Sequence, residues 1–173
     1  MSKPYGSPHR LRQYSEMQKI DRIMKYIVLV GRILFSIIFI NSGLHHFSKA
    51  AVDHANSQNV PVADVLVPFS GILAILGGVS IVLGYKARIG AWLLIIFLIP
   101  VTIMMHGFWH FNDPAEQQVQ MTMFLKNTSM LGAAFLIAWF GSGPLSLDER
   151  KVERKEEPYK EQSRPIAREK VEL

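Results

Sequence analysis

Histidine carries most of the chemical potential of this sequence. Six are present and cysteine is absent. Asn41 and His45 stand four residues apart and His46 follows. His106 and His110 repeat that spacing, with Trp109 between them. Side chains four apart share a face of a helix. Gln117, Gln120, Lys126 and Asn127 come next along the chain. Imidazole titrates near neutral pH and ligates metals, so proton transfer, metal binding and haem ligation are the chemistries to weigh. The pairs lack the glutamate of the HExxH zinc pattern, and Asp113 and Glu116 lie beyond the apolar run that ends near Trp109. No metal ligand set is therefore assigned.

A quinone headgroup suits the set better than haem or metal. It asks for hydrogen-bond donors to its carbonyls, a proton relay, and an apolar channel for its tail. On this reading His45, His106 and His110 are the catalytic candidates. Asn41, His46, Trp109, Lys126 and Asn127 are the headgroup contacts, and Phe108, Phe111 and Phe124 offer an apolar lining. The competing reading makes them interfacial histidines and a tryptophan anchor at wetted helix ends. The eight methionines read as packing residues.

The elements that position these groups follow from where the charges are. The chain has 173 residues, 49% hydrophobic and 19% charged. Eight of the 33 Lys, Arg, Asp and Glu residues fall in 1–25 and sixteen in 148–173, leaving nine for the 122 residues between. Such segregation argues against a soluble globular fold, a disordered chain or a nucleic-acid binder. The core contains four apolar runs, at about 26–46, 65–84, 89–109 and 121–141. Each approaches the roughly 20 residues that cross a hydrocarbon layer as a helix. The expected fold is an all-α membrane protein, a four-transmembrane-helix bundle with charged cytoplasmic tails. Residues 1–25 form a basic N-terminal arm, 26–147 the membrane domain, and 148–173 a disordered tail of balanced charge. A second possibility for 8–25 is an amphipathic interfacial helix.

Six of the basic residues lie in 1–25, eight in the C-terminal tail, and Lys86 and Arg88 in the short turn after the second run. The positive-inside rule then puts both termini and that turn in the cytoplasm, and the loops at 45–64 and 106–120 outside. The net charge of +5 needs no nucleic acid to explain it. No cleaved signal peptide or lipidation motif is expected. Gly71, Gly77, Gly78 and Gly84 mark close helix packing, and Pro100 marks a kink in the third span. Arg32 sits shallowly in the first span and is expected to snorkel toward the cytoplasm.

Several short stretches, in order, resemble the DoxX family. Gly31-Arg32-Ile33-Leu34-Phe35 leading to Asn41-Ser42-Gly43-Leu44-His45-His46-Phe47 is similar to its first span. Leu76-Gly77-Gly78 and Leu83-Gly84-Tyr85-Lys86-Ala87-Arg88-Ile89-Gly90-Ala91 resemble its hairpin. Pro100-Val101-Thr102 with His106-Gly107-Phe108-Trp109 resembles its third span and outer loop. Phe124-Leu125-Lys126-Asn127 and Gly141-Ser142-Gly143-Pro144-Leu145-Ser146-Leu147-Asp148 resemble its fourth span and exit. The likeness covers about 27–150. It implies a four-helix protein of the bacterial cytoplasmic (inner) membrane, linked to redox complexes. The implied function is a quinone-interacting subunit of a membrane oxidoreductase. The alternative is a non-enzymatic scaffold that docks a protein partner or a second copy of itself. A small-solute transporter is less favoured, for want of a buried charge pair.

Overall fold

A computed structural model describes residues 8–152. Among them the regular structure is helical, without strands. Helix α1 runs over Pro8–His45, α2 over Lys49–Ser57, α3 over Ala63–Leu83, α4 over Ala87–Met105 and α5 over Pro114–Phe140. A single 3-10 turn, Phe108–His110, joins α4 to α5. Four of these helices are long and apolar enough to cross a membrane. The tail expected at 148–173 lies mostly outside the described residues, apart from a helical stretch at 147–152.

Local sequence explains where the helices begin and end. The Ser48 hydroxyl accepts from the Ala51 amide and starts α2. Asp113 does the same for Glu116 at the head of α5, with Pro114 in the first turn where its missing N–H costs nothing. The α3–α4 turn needs a left-handed residue, and Gly84 supplies it at φ +62°. The Asp148 carboxylate accepts from the Lys86 and Ala87 amides and so caps α4 from a distant point in the chain. Helix α4 continues through Pro100 without interruption.

Helix packing follows chain order: α1 on α3, α3 on α4, α4 on α5. The first and last spans do not form a major packing pair. The core gathers Phe39, Ala74, Ile81, Ala87, Ala91, Leu94, Phe97 and Leu98. Its small residues let backbones approach. A Cβ on Gly43 would stand 2.7 Å from the Gly71 carbonyl oxygen, and one on Gly71 2.8 Å from that of Gly43. Between α3 and α4, a Cβ on Gly77 or Gly90 would stand 2.9 Å from the other's carbonyl oxygen. The outside of the helices is apolar as well as the core. Leu34, Ile37, Trp92 and Phe140 are exposed, and Trp139 is 77% exposed. A shell of this kind suits lipid and would drive aggregation in water. At about 1.5 Å per residue α1 is ~57 Å long, well beyond a ~30 Å hydrocarbon core. Its residues from His9 to Ile27 whose side chains are described are all exposed.

Candidate functional site

Helices α1 to α5 all contribute to one partly open cavity of about 530 Å³ at the end of the bundle where α2 lies. Its walls are mainly apolar, with Phe39, Phe97, Leu73, Met104 and Met130 among them. Every helix also brings it a polar group. His45 closes α1 and His46 follows it, His54 comes from α2, Ser70 from α3 and His106 from the end of α4. Lys126 and Asn127 come from α5.

Specific contacts place several of these groups. The His46 Nδ1 and the Ser70 hydroxyl are 2.8 Å apart, and the imidazole lies against the Phe97 ring at 5.6 Å. Ser70 itself donates to the Val67 carbonyl, so it accepts from His46. Their proximity follows from the glycine contact one residue on, since a Cβ on Gly71 would also touch the His46 Cβ. His106 Nδ1 is 2.9 Å from Gln120 Oε1, which brings the end of α4 onto α5. An amide oxygen can only accept, so this contact sets the proton on Nδ1 and leaves Nε2 as the acceptor of a neutral ring. The Lys126 ammonium reaches Met123 Sδ at 3.2 Å. Asn127 is only 5% exposed, yet its side-chain amide has no hydrogen-bond partner among the described residues. The amide can present two donors and one acceptor to the cavity.

The cavity gathers only some of the expected site residues. His45, His46, His106, Lys126 and Asn127 line it. Asn41, Trp109 and His110 do not. Asn41 is exposed on α1, while Ser42 lines the cavity beside it. His106 and His110 do not share a helix face, because α4 stops at Met105 and Gly107 precedes the 3-10 turn. There Trp109 Nε1 donates to His110 Nε2 at 2.7 Å, and the indole packs edge-on to Phe108 and Phe124. This aromatic group is a wedge between the 3-10 turn and α5, not a cavity wall. Phe111 lines a second, smaller pocket of about 390 Å³ with Glu116, Gln120 and His54. Sequence reasoning missed Ser70 and the partnership of His106 with Gln120. Among the described residues, no three His, Asp or Glu side chains converge as a metal-binding group.

A second built region lies at the other end of the bundle. Arg32 is 4% exposed and donates from Nη1 to the Ser142 carbonyl (3.0 Å) and from Nη2 to the Leu145 carbonyl (2.8 Å). The guanidinium runs toward the α3–α4 turn at Gly84, but backbone carbonyls receive it instead of water. This corrects the snorkelling expectation. The same segment returns over the turn, where Asp148 N donates to the Gly84 carbonyl at 2.9 Å.

Four apolar helices of spanning length around a shared cavity define a multi-pass integral membrane protein. Sequence comparison agrees with the architecture. A DoxX family profile matches residues 27–107. The Escherichia coli inner membrane protein YqjF is 30% identical over 121 residues, 70% of this chain and 88% of its own length. The E. coli inner membrane protein YphA is 29% identical over 72% of this chain and 89% of its own. The ER-derived vesicles protein ERV29 of Saccharomyces cerevisiae is 27% identical over 77% of this chain, but the match spans 36% of the yeast protein. No solved structure matches. The chain belongs to the DoxX family.

Proposed function

We propose that this protein is a quinone-interacting subunit of an oxidoreductase complex in a bacterial inner membrane, with both termini cytoplasmic. The observation that carries the reading is the Asn127 amide, without a hydrogen-bond partner among the described residues, on the wall of a mainly apolar cavity that His106 and Lys126 also line. A quinone carries electrons and protons between membrane complexes, and its two carbonyl oxygens accept hydrogen bonds. Asn127 and Lys126 supply donors for such oxygens, while His45 and His106 supply proton-exchanging groups. Phe97, Met104 and Met130 accept the ring and the first part of an apolar tail. The inner-membrane assignment rests on the names of the two E. coli relatives. The orientation rests on the basic residues of 1–25, the 85–88 turn and the 148–173 tail.

The test is crosslinking of the detergent-purified protein with a photoreactive short-chain quinone, followed by peptide mapping. Labelling of α4 and α5 near His106 and Asn127, displaced by excess unlabelled quinone, supports the reading. Labelling spread along the lipid-facing surface and insensitive to competitor overturns it.

A second reading, a membrane scaffold that docks a partner protein, is favoured by one feature. The first half of α1 projects from the bundle with Tyr14, Met17, Ile20, Ile23 and Met24 exposed on a basic helix. Loss of a co-purifying complex on deleting residues 1–25, without loss of the folded bundle, distinguishes it.

A further inference from the structure

We infer that the cavity takes its ligand as an anion: an amphiphile with one negatively charged oxygen headgroup, held by Lys126 and Asn127, and an apolar body. The inference rests on the cavity reading above and names the charge state of what fills it.

The argument begins with Lys126. It lies twelve residues into α5, and five past Met121, where the apolar run starts. That is roughly 7.5 Å along the axis from the edge of the run. The residue is exposed as well as lining the cavity, and an ammonium at that depth of the apolar run is costly wherever it meets lipid instead of an anion or water. Among the described residues no carboxylate pairs with it, and the sole ion pair lies far off on α1, between Lys19 and Glu16. Its one polar contact is the Met123 sulfur, a weak acceptor.

No carboxylate opposes Lys126 across the rest of the lining. His45, His46, His54 and His106 surround the cavity, and no Asp or Glu lines it. The acidic residues of the membrane domain are Asp53, Asp64, Asp113 and Glu116, all absent from its wall. The lining therefore holds cationic and neutral groups and no carboxylate. Asn127, 5% exposed, adds N–H donors to the same cavity wall. Donors and an unneutralised cation lining one mainly apolar cavity favour an anionic oxygen over a neutral carbonyl. Charge-assisted hydrogen bonds are about twice as strong as neutral ones.

Matched ligands test this on the full chain in neutral detergent, by isothermal titration at neutral pH. One is an alkylated hydroxynaphthoquinone, whose hydroxyl is ionised there. The second is its methyl ether, with the same ring and tail and no charge. A fatty acid and the fatty alcohol of equal length form the second pair. We expect the ionised member of each pair to bind about tenfold more tightly. Lys126→Met should bring that ratio close to one, and Lys126→Arg should keep it. Circular dichroism and gel filtration show that the variants remain folded, and a misfolded Lys126→Met is replaced by Lys126→Gln. If the methyl ether binds as tightly as the hydroxyquinone, the inference falls while the quinone reading stands. If the fatty acid binds with the expected preference and neither naphthoquinone binds, the inference stands and the quinone reading falls. A preference that survives Lys126→Met overturns the assigned headgroup position.

Discussion

Arg32 and Leu145, 113 residues apart, are joined by a 2.8 Å hydrogen bond from a buried guanidinium to a backbone carbonyl. Together with the bond to Ser142 it ties the first span to the segment that leaves the last. The segment is held again where Asp148 caps α4 and donates its own amide to Gly84. Since α1 and α5 are not a major packing pair, this junction links them where helix contact does not. Arg32→Met strands the carbonyls that it served, at about 1–3 kcal/mol for each buried group left unpaired. The expected outcome is a clear fall in the midpoint of thermal unfolding in detergent. Arg32→Lys should fall between, because an ammonium is a point donor and lacks the fork that reaches two carbonyls. An unchanged midpoint in Arg32→Met would show that the junction does not support the bundle.

The Gly43–Gly71 contact makes a second prediction about stability. A methyl group at either position meets the other's carbonyl oxygen below 3 Å. Gly71→Ala should destabilise by about 1–3 kcal/mol through overpacking, and should also displace His46, whose Cβ it touches. Gly132 is the control. It lies inside α5, and a methyl group added there would have nothing within 4 Å. Gly132→Ala should be neutral or stabilising by roughly 0.5–1 kcal/mol, since alanine is the better helix former. Thermal melts of both variants in one detergent make the comparison. Equal effects at the two sites would remove the close-packing argument.

Topology can be tested without background labelling, because the chain contains no cysteine. Ser57→Cys falls at the exposed end of α2, and Tyr85→Cys at the exposed α3–α4 turn. With both termini cytoplasmic, a membrane-impermeant maleimide added to intact cells should label the thiol at position 57 directly. Position 85 should react only after permeabilisation. The reverse pattern would invert the orientation and put the cavity on the cytoplasmic side.

The four spans were legible because bilayer thickness demands long apolar runs, and the sparing use of charge between 26 and 147 marked them. The side-chain partnerships were less so. Spacing reports which residues share a helix face only while the helix lasts. Met105 ends α4, so the HxxxH pair His106 and His110 is split between the helix end and a turn. Gly107 was the available signal. Arg32 read as a shallow charge free to reach water, because its acceptors lie more than 100 residues away and are backbone groups that no side-chain pattern reveals. Lys126 and Asn127 are neighbours in sequence and both line the cavity, but one is exposed and the other buried. Only packing against the rest of the bundle separates them.

The two asparagines named from sequence supply the sharpest test of the cavity. Asn41 is exposed on α1 and does not line it, whereas Asn127 is buried and does. The same division holds for the histidines, with His106 at the wall and His110 bound to Trp109 outside it. Asn127→Leu replaces unpartnered donors with an apolar group of similar size, so folding should survive while ligand binding weakens about tenfold, the worth of one hydrogen bond. His106→Ala breaks the contact with Gln120 and should reduce quinone-dependent turnover without unfolding the protein. Asn41→Ala and His110→Ala should bind as the unaltered chain does. The measurement is titration of all four variants with one short-chain quinone, alongside their thermal melts. If Asn41→Ala or His110→Ala weakens binding as much as Asn127→Leu, the ligand sits elsewhere than in the cavity and the cavity is not its site.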